Sequence, residues 1–152
     1  MLIQTLQALL NRDLLKLKSE IEQYPNEADL WTTQAHIANS GGNLCLHLLG
    51  NLNTYVGKEL GNTGYVRNRE SEFADKNVPR QGLILGIENT INIVNETLQQ
   101  LNDEVLEREY PVKVFEQPMS TGYFLVHLAT HLAYHLGQIN YHRRLLETNG
   151  GS

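Results

Sequence analysis

Apolar residues recur at three- and four-residue intervals through most of this chain, and proline and glycine interrupt the pattern at a few places. Leu6, Leu9, Leu10, Leu14, Leu17 and Ile21, with Asp13 among them, predict a first helix from Leu2 to Tyr24 that Pro25 stops. Pro25 to Asn39 reads as a connector anchored by Trp31 and Ile37. Ser40 or Asn39 can cap a second helix running to about Leu60, ahead of Gly61-Asn62-Thr63-Gly64. Gly50 and Gly57 cost helicity inside it, so their presence predicts close packing against a neighbour.

Gly64 to Pro79 is polar and charged and is expected to be an irregular connection. Leu83, Ile84, Ile87, Ile91, Val94, Leu98, Leu101 and Val105 form the apolar face of a third helix expected over Arg80 to Leu106. Glu107 to Pro118, holding Pro111 and Pro118, reads as a linker. Ser120 can cap a fourth helix that continues to about Leu146. Four long helices, almost no strand signal and a long second-to-third crossover predict an all-α four-helix bundle. With 152 residues and no internal repeat, residues 1–152 read as a single domain.

Charge and composition narrow the function classes. The net charge is −5, from 17 acidic against 12 Lys plus Arg, and no helix is rich in basic residues, so nucleic acid is not an expected partner. No apolar run approaches the ~18 residues of a membrane span, and the N-terminus lacks a basic, apolar leader pattern. A cytoplasmic location is therefore expected, with no membrane partner. The lone Cys45 excludes an intramolecular disulfide and, set in an apolar run, is expected as a buried reduced thiol.

The candidate chemistry lies in histidines. On the fourth helix His127, His131 and His135 fall at four-residue spacing, followed by Gln138 and His142; on the second, Asn43, His47, Asn51 and Thr54 trace a polar strip among leucines. Residues four apart on a helix differ by about 40° in direction, so His131 and His135 can present two imidazoles to one point. With His47 from a facing helix, three nitrogen ligands would leave an open position on a divalent ion, as a catalytic site requires. Three same-face histidines span about 12 Å along the axis, so all three do not easily reach one ion; His127 could ligate instead, but His131 and His135 are the favoured pair, with His127 expected near the rim. His142 and His36 are expected to be non-ligands. The same pattern also suits histidines that merely complete a structural hydrogen-bond network, and a non-catalytic bundle with a polar interior is the corresponding rival.

Within Tyr65-Val66-Arg67-Asn68-Arg69-Glu70-Ser71-Glu72-Phe73, Arg67 and Arg69 can reach an anionic substrate, and Glu70 or Glu72 can orient a histidine or accept a proton. No GxSxG elbow, P-loop, dinucleotide fingerprint or HExxH motif is present, so serine hydrolase, nucleotide triphosphatase and zincin readings have no local support.

Leu46-His47-Leu48-Leu49-Gly50-Asn51-Leu52, Arg67 to Phe73, and His131-Leu132-Ala133-Tyr134-His135-Leu136-Gly137-Gln138-Ile139 together resemble the DinB-like, or YfiT-like, metalloenzyme superfamily over nearly the whole chain. The resemblance implies an up-up-down-down-like four-helix bundle, frequent homodimers, and a site of His47, His131 and His135 holding Ni, Zn, Mn or a similar divalent ion. It also implies a small-molecule substrate. Some members are S-transferases using low-molecular-weight thiols, and others are isomerase-like or hydrolase-like. Lewis-acid activation of a thiol is thus the leading expectation and metal-dependent hydrolysis the alternative, with His127, Tyr134 and Asn51 expected around the ligands and Arg67, Arg69 and Glu70 toward substrate.

Overall fold

The computed structural model describes residues 1–34 and 36–150. Helix α1, Leu2–Gln23, buries Leu6, Leu10, Leu14, Leu17 and Ile21, spaced as a helix facing a core demands. Leu9 lies at the edge of that face and is exposed. A short 3₁₀ turn, Glu27–Trp31, buries Leu30 and Trp31, so Trp31 anchors the connector as expected. Ile37, the other expected anchor, is 37% exposed and lies outside the buried core of the described residues.

The second helix is capped by Ser40, whose Oγ accepts from the Asn43 amide at 3.2 Å. It runs as α2, Gly41–Leu52, then through a π-helical stretch, Asn53–Lys58, into α3, Glu59–Gly61, and stops where Asn62 turns left-handed at φ 53°. In the widened stretch the Tyr110 hydroxyl donates to the Tyr55 carbonyl at 2.6 Å. The close packing predicted at the two glycines is present: a Cβ at Gly57 would come within 3.0 Å of Ile93, and one at Gly50 would overlap the Glu72 carboxylate.

Two expected boundaries need correction. The polar connector after Gly64 contains a helix, α4, Arg69–Ala74, started by Asn68, whose Oδ1 accepts from the Ser71 amide at 3.2 Å. The expected third helix is two: α5, Arg80–Gln99, and α6, Asp103–Glu107. Asn102 breaks the run because its side chain caps the new helix, accepting from the Val105 amide at 3.1 Å; the Leu98–Leu101–Val105 spacing reads across the break. The last helix, α7, Thr121–Gly150, begins under Ser120, which accepts from the Tyr123 amide at 3.1 Å. Ahead of it, an isolated antiparallel bridge between Glu109 and Ser120 pinches the linker closed.

The long helices pack as a four-helix bundle. Gln7 meets Asn95, Lys18 meets Glu88 and Arg80 meets the Tyr24 carbonyl, so α1 and α5 run antiparallel. Met1 lies near Tyr123 while Glu20 pairs with Arg143, so α1 and α7 run parallel. Tyr55 faces Phe124 and His47 faces His131, so α2 opposes α7. In chain order the helices point up, down, down and up. That is the expected two-up, two-down composition, with the order shifted by one helix. Leu10, Leu14, Leu48, Leu52, Ile87, Leu98, Leu125 and Ile139 fill the centre. Cys45 is buried as a free thiol. Among the described residues no helix is long and apolar enough to cross a membrane.

Candidate metal centre

The antiparallel register of α2 and α7 assembles the site. His47 from α2 lies with its ring centroid 5.1 Å from His131 and 5.3 Å from His135, and the last two are 4.5 Å apart. One nitrogen from each of the three lies within 4.8 Å of the others. His47 is buried and the α7 pair half-buried, so the cluster sits just beneath the surface.

The far side of His47 is held by the helix that the sequence pattern hid. α4 buries Glu72, whose Oε1 lies 3.1 Å from His47 Nδ1. Arg67 grips the same carboxylate with two hydrogen bonds, Nε to Oε2 at 2.8 Å and Nη2 to Oε1 at 2.9 Å. Asn43, one turn before His47, donates to the backbone carbonyls of Glu72 and Asp75 at 2.9 and 2.8 Å and so fastens α4 to α2. Gly50 leaves the gap in α2 that the carboxylate fills. A carboxylate can only accept, so the proton of the His47–Glu72 contact belongs on Nδ1, and the Nε2 lone pair is free to face the cluster. His135 is set in the same way by Gln138, whose Oε1 lies 2.7 Å from His135 Nδ1.

Burial lowers the His47 pKa from the usual imidazole range, against the opposing pull of the Glu72 hydrogen bond and charge. Burial, then the neighbouring His135 and His47, pushes His131 down to about 4. Both rings therefore keep a lone pair at neutral pH, the state a metal ligand needs. The His47 and His131 Nε2 atoms are 3.3 Å apart. Two nitrogens each about 2.0–2.1 Å from one ion, at a tetrahedral angle, would be separated by about the same distance. The donor set, three imidazoles, suits a divalent transition ion.

The other expected residues divide. His127 lies at the rim, its ring 6.3 Å from His131 and between Phe115 and Phe124. Asn51 is buried beside the cluster, and Arg67 and Arg69 join it, His47, His127 and His131 in lining a cleft of about 340 Å³. The Arg69 guanidinium rests 5.9 Å over the Phe73 ring. Tyr134 touches His135 ring to ring at 5.3 Å but is 66% exposed on the outer face of α7. Glu70 is exposed and makes no hydrogen bond to a histidine among the described residues; the orienting carboxylate is Glu72. Six residues of charged sequence carry no readable periodicity, and the available signals were Asn68 as a cap and a glycine three residues after His47. His142 is structural, bonded to the Tyr24 hydroxyl at 2.7 Å and the Thr32 carbonyl at 2.8 Å. His36 is exposed in the linker with φ 71°.

The comparisons with known proteins agree with this architecture. The model of a family described as "Protein of unknown function (DUF1572)" matches residues 2–150. Among solved structures, one titled "Crystal structure of the conserved protein of locus from Enterococcus faecalis" is similar with a TM-score of 0.74 at 18% identity, covering 93% of this chain and 95% of that one. That likeness shows a shared fold. A search of curated proteins gives no significant match.

Proposed function

This chain belongs to the DUF1572 family, and on that premise we propose a divalent-metal-dependent enzyme in which His47, His131 and His135 hold the ion. The observation that carries the reading is the convergence of three imidazole nitrogens within 4.8 Å, two of them with their outer nitrogens already held by Glu72 and Gln138. A bound ion supplies Lewis-acid polarisation of a nucleophile or of a substrate oxygen.

The chain's own residues do the rest. Glu72 fixes the His47 proton on Nδ1, and Arg67 neutralises that carboxylate so that it can stay buried. Arg69 has no carboxylate partner among the described residues, which leaves the cleft a positive charge to draw an anionic group. The DinB-like resemblance makes transfer of a low-molecular-weight thiol to an electrophile our first reaction, with metal-dependent hydrolysis second. The same resemblance leads us to propose a homodimer, for which the exposed Tyr134, Tyr141 and Leu145 of α7 supply apolar surface, and the sequence pattern leads us to propose a cytoplasmic location.

Elemental analysis after reconstitution tests the centre: about one ion per chain is expected, with sharp loss in H47A, H131A and H135A. Equal retention by all three folded variants refutes the ligand set.

A further inference from the structure

We infer that Asn51 is a positioning residue for His131: with an ion on Nε2, the ring's Nδ1–H donates to the Asn51 carboxamide oxygen, a bond the two atoms do not make in this structure, and Nε2 is thereby held toward His47 and His135. The inference rests on the metal reading above and extends it to the one ligand whose orientation is otherwise unexplained. His47 Nδ1 has Glu72 and His135 Nδ1 has Gln138, whereas His131 Nδ1 is buried with no hydrogen-bond partner. Buried polar atoms are almost always paired in native proteins. The Asn51 Oδ1 atom is also buried and also without a partner.

The two atoms are chemically complementary, and their residues border the same cleft. Tyr55 packs against Phe124 and His47 against His131 and His135, so Asn51, one turn beyond His47 on α2, stands opposite the turn from residue 127 to 131 of α7. Asn51 and His131 line the same cleft. An imidazole whose Nε2 lone pair is given to an ion carries its proton on Nδ1 and becomes a donor there, and an amide oxygen is an acceptor. Arg67 and Arg69, which share the cleft, can only donate. Thr54 Oγ1 is likewise buried and unpartnered, but it lies a turn further along and does not line the cleft.

The test compares wild type, N51L and N51D. Zinc uptake by the wild type is first measured by elemental analysis, then zinc affinity by competition with a chromophoric chelator. The His131 Nδ1–H signal is followed by ¹⁵N NMR of histidine-labelled, zinc-loaded protein. N51L should bind zinc 10–100-fold more weakly and lose the slowly exchanging Nδ1–H signal while keeping its helical circular dichroism. N51D, which keeps an acceptor, should restore both. Wild-type affinity in N51L, an unchanged signal, or N51D as weak as N51L overturns the role of Asn51 and leaves the metal reading intact. No zinc uptake by the wild type overturns the metal reading and this role together. N51A, which adds no bulk, serves in place of N51L if the leucine variant does not fold.

Discussion

The contact between Gly50 and Glu72 makes a prediction whose sign depends on one carboxylate. In an ordinary helix interior, Gly→Ala stabilises by about 1 kcal/mol through backbone entropy. At Gly50 the new methyl would occupy the space of the Glu72 carboxylate, so Glu72 must swing away from its place. The displaced group forfeits hydrogen bonds from Arg67 at 2.8 and 2.9 Å and the one with His47 at 3.1 Å. Charge-assisted bonds contribute about 1.5–3 kcal/mol each when well buried; allowing for partial rescue by solvent, a loss of about 2–4 kcal/mol opposes the gain. G50A is therefore expected to destabilise the protein by about 1–3 kcal/mol. In the E72A background the obstacle is gone, and the same substitution should be neutral or stabilising by up to about 1 kcal/mol. Urea unfolding of wild type, G50A, E72A and the double variant gives the coupling energy directly. If G50A costs the same with and without Glu72, the carboxylate is not what the glycine accommodates, and the account of how α4 docks is wrong.

Four further outcomes follow from the same geometry. Chelation should leave far-UV circular dichroism strongly helical, since four apolar faces bury the core without an ion; near-complete loss of helicity would make the metal structural. In chelator-treated protein, stability should fall as pH drops from about 6.5 toward 4. His131 is held down to about 4, so within that window the unfolded chain takes up a proton that the folded one refuses. His47 acts in the same direction; H131Q should flatten the profile measured by urea melts across that range, and an unchanged profile would show that His131 does not drive it. Y24F strips His142 Nδ1 of its 2.7 Å partner and should cost about 1–2 kcal/mol in thermal or urea unfolding, a cost absent if the bond is idle. Metal-loaded protein screened with small thiols plus electrophiles, and with ester and amide substrates, should turn over one class; H131A should abolish that turnover with the fold kept, and activity that survives H131A would reject this centre.

Much of the architecture was legible because apolar periodicity survives over long helices. Leu6 to Ile21 and Leu83 to Leu98 announce their buried faces directly. The periodicity misled at Leu98–Leu101–Val105, where the spacing continues although α5 has ended at Gln99 and Asn102 caps a new helix. Short helices escape such reading: α4 has six residues, and Glu72 is the one it buries fully. For the site, the four-residue spacing of His131 and His135 and the polar strip through His47 were enough to bring three imidazoles together. The choice between Glu70 and Glu72 was not legible, because which of two nearby carboxylates turns inward depends on where Asn68 starts the helix. Tyr134, beside His135 in sequence, faces outward because neighbouring helical positions diverge by about 100°.

The attachment of α4 has a consequence for motion. A helix of six residues has no stability of its own. This one is anchored by the Asn43 carboxamide, the Arg67–Glu72–His47 contacts and the half-buried Phe73 ring, 5.0 Å from His47. Its free energy of local opening is therefore set by polar contacts rather than by the leucine core, and its backbone amides are expected to exchange with solvent hydrogen ahead of those in α1 and α5. Each such opening would withdraw the acceptor from His47 while the bundle stays closed, so the polar anchoring of α4 governs how long the three-histidine pocket keeps its shape.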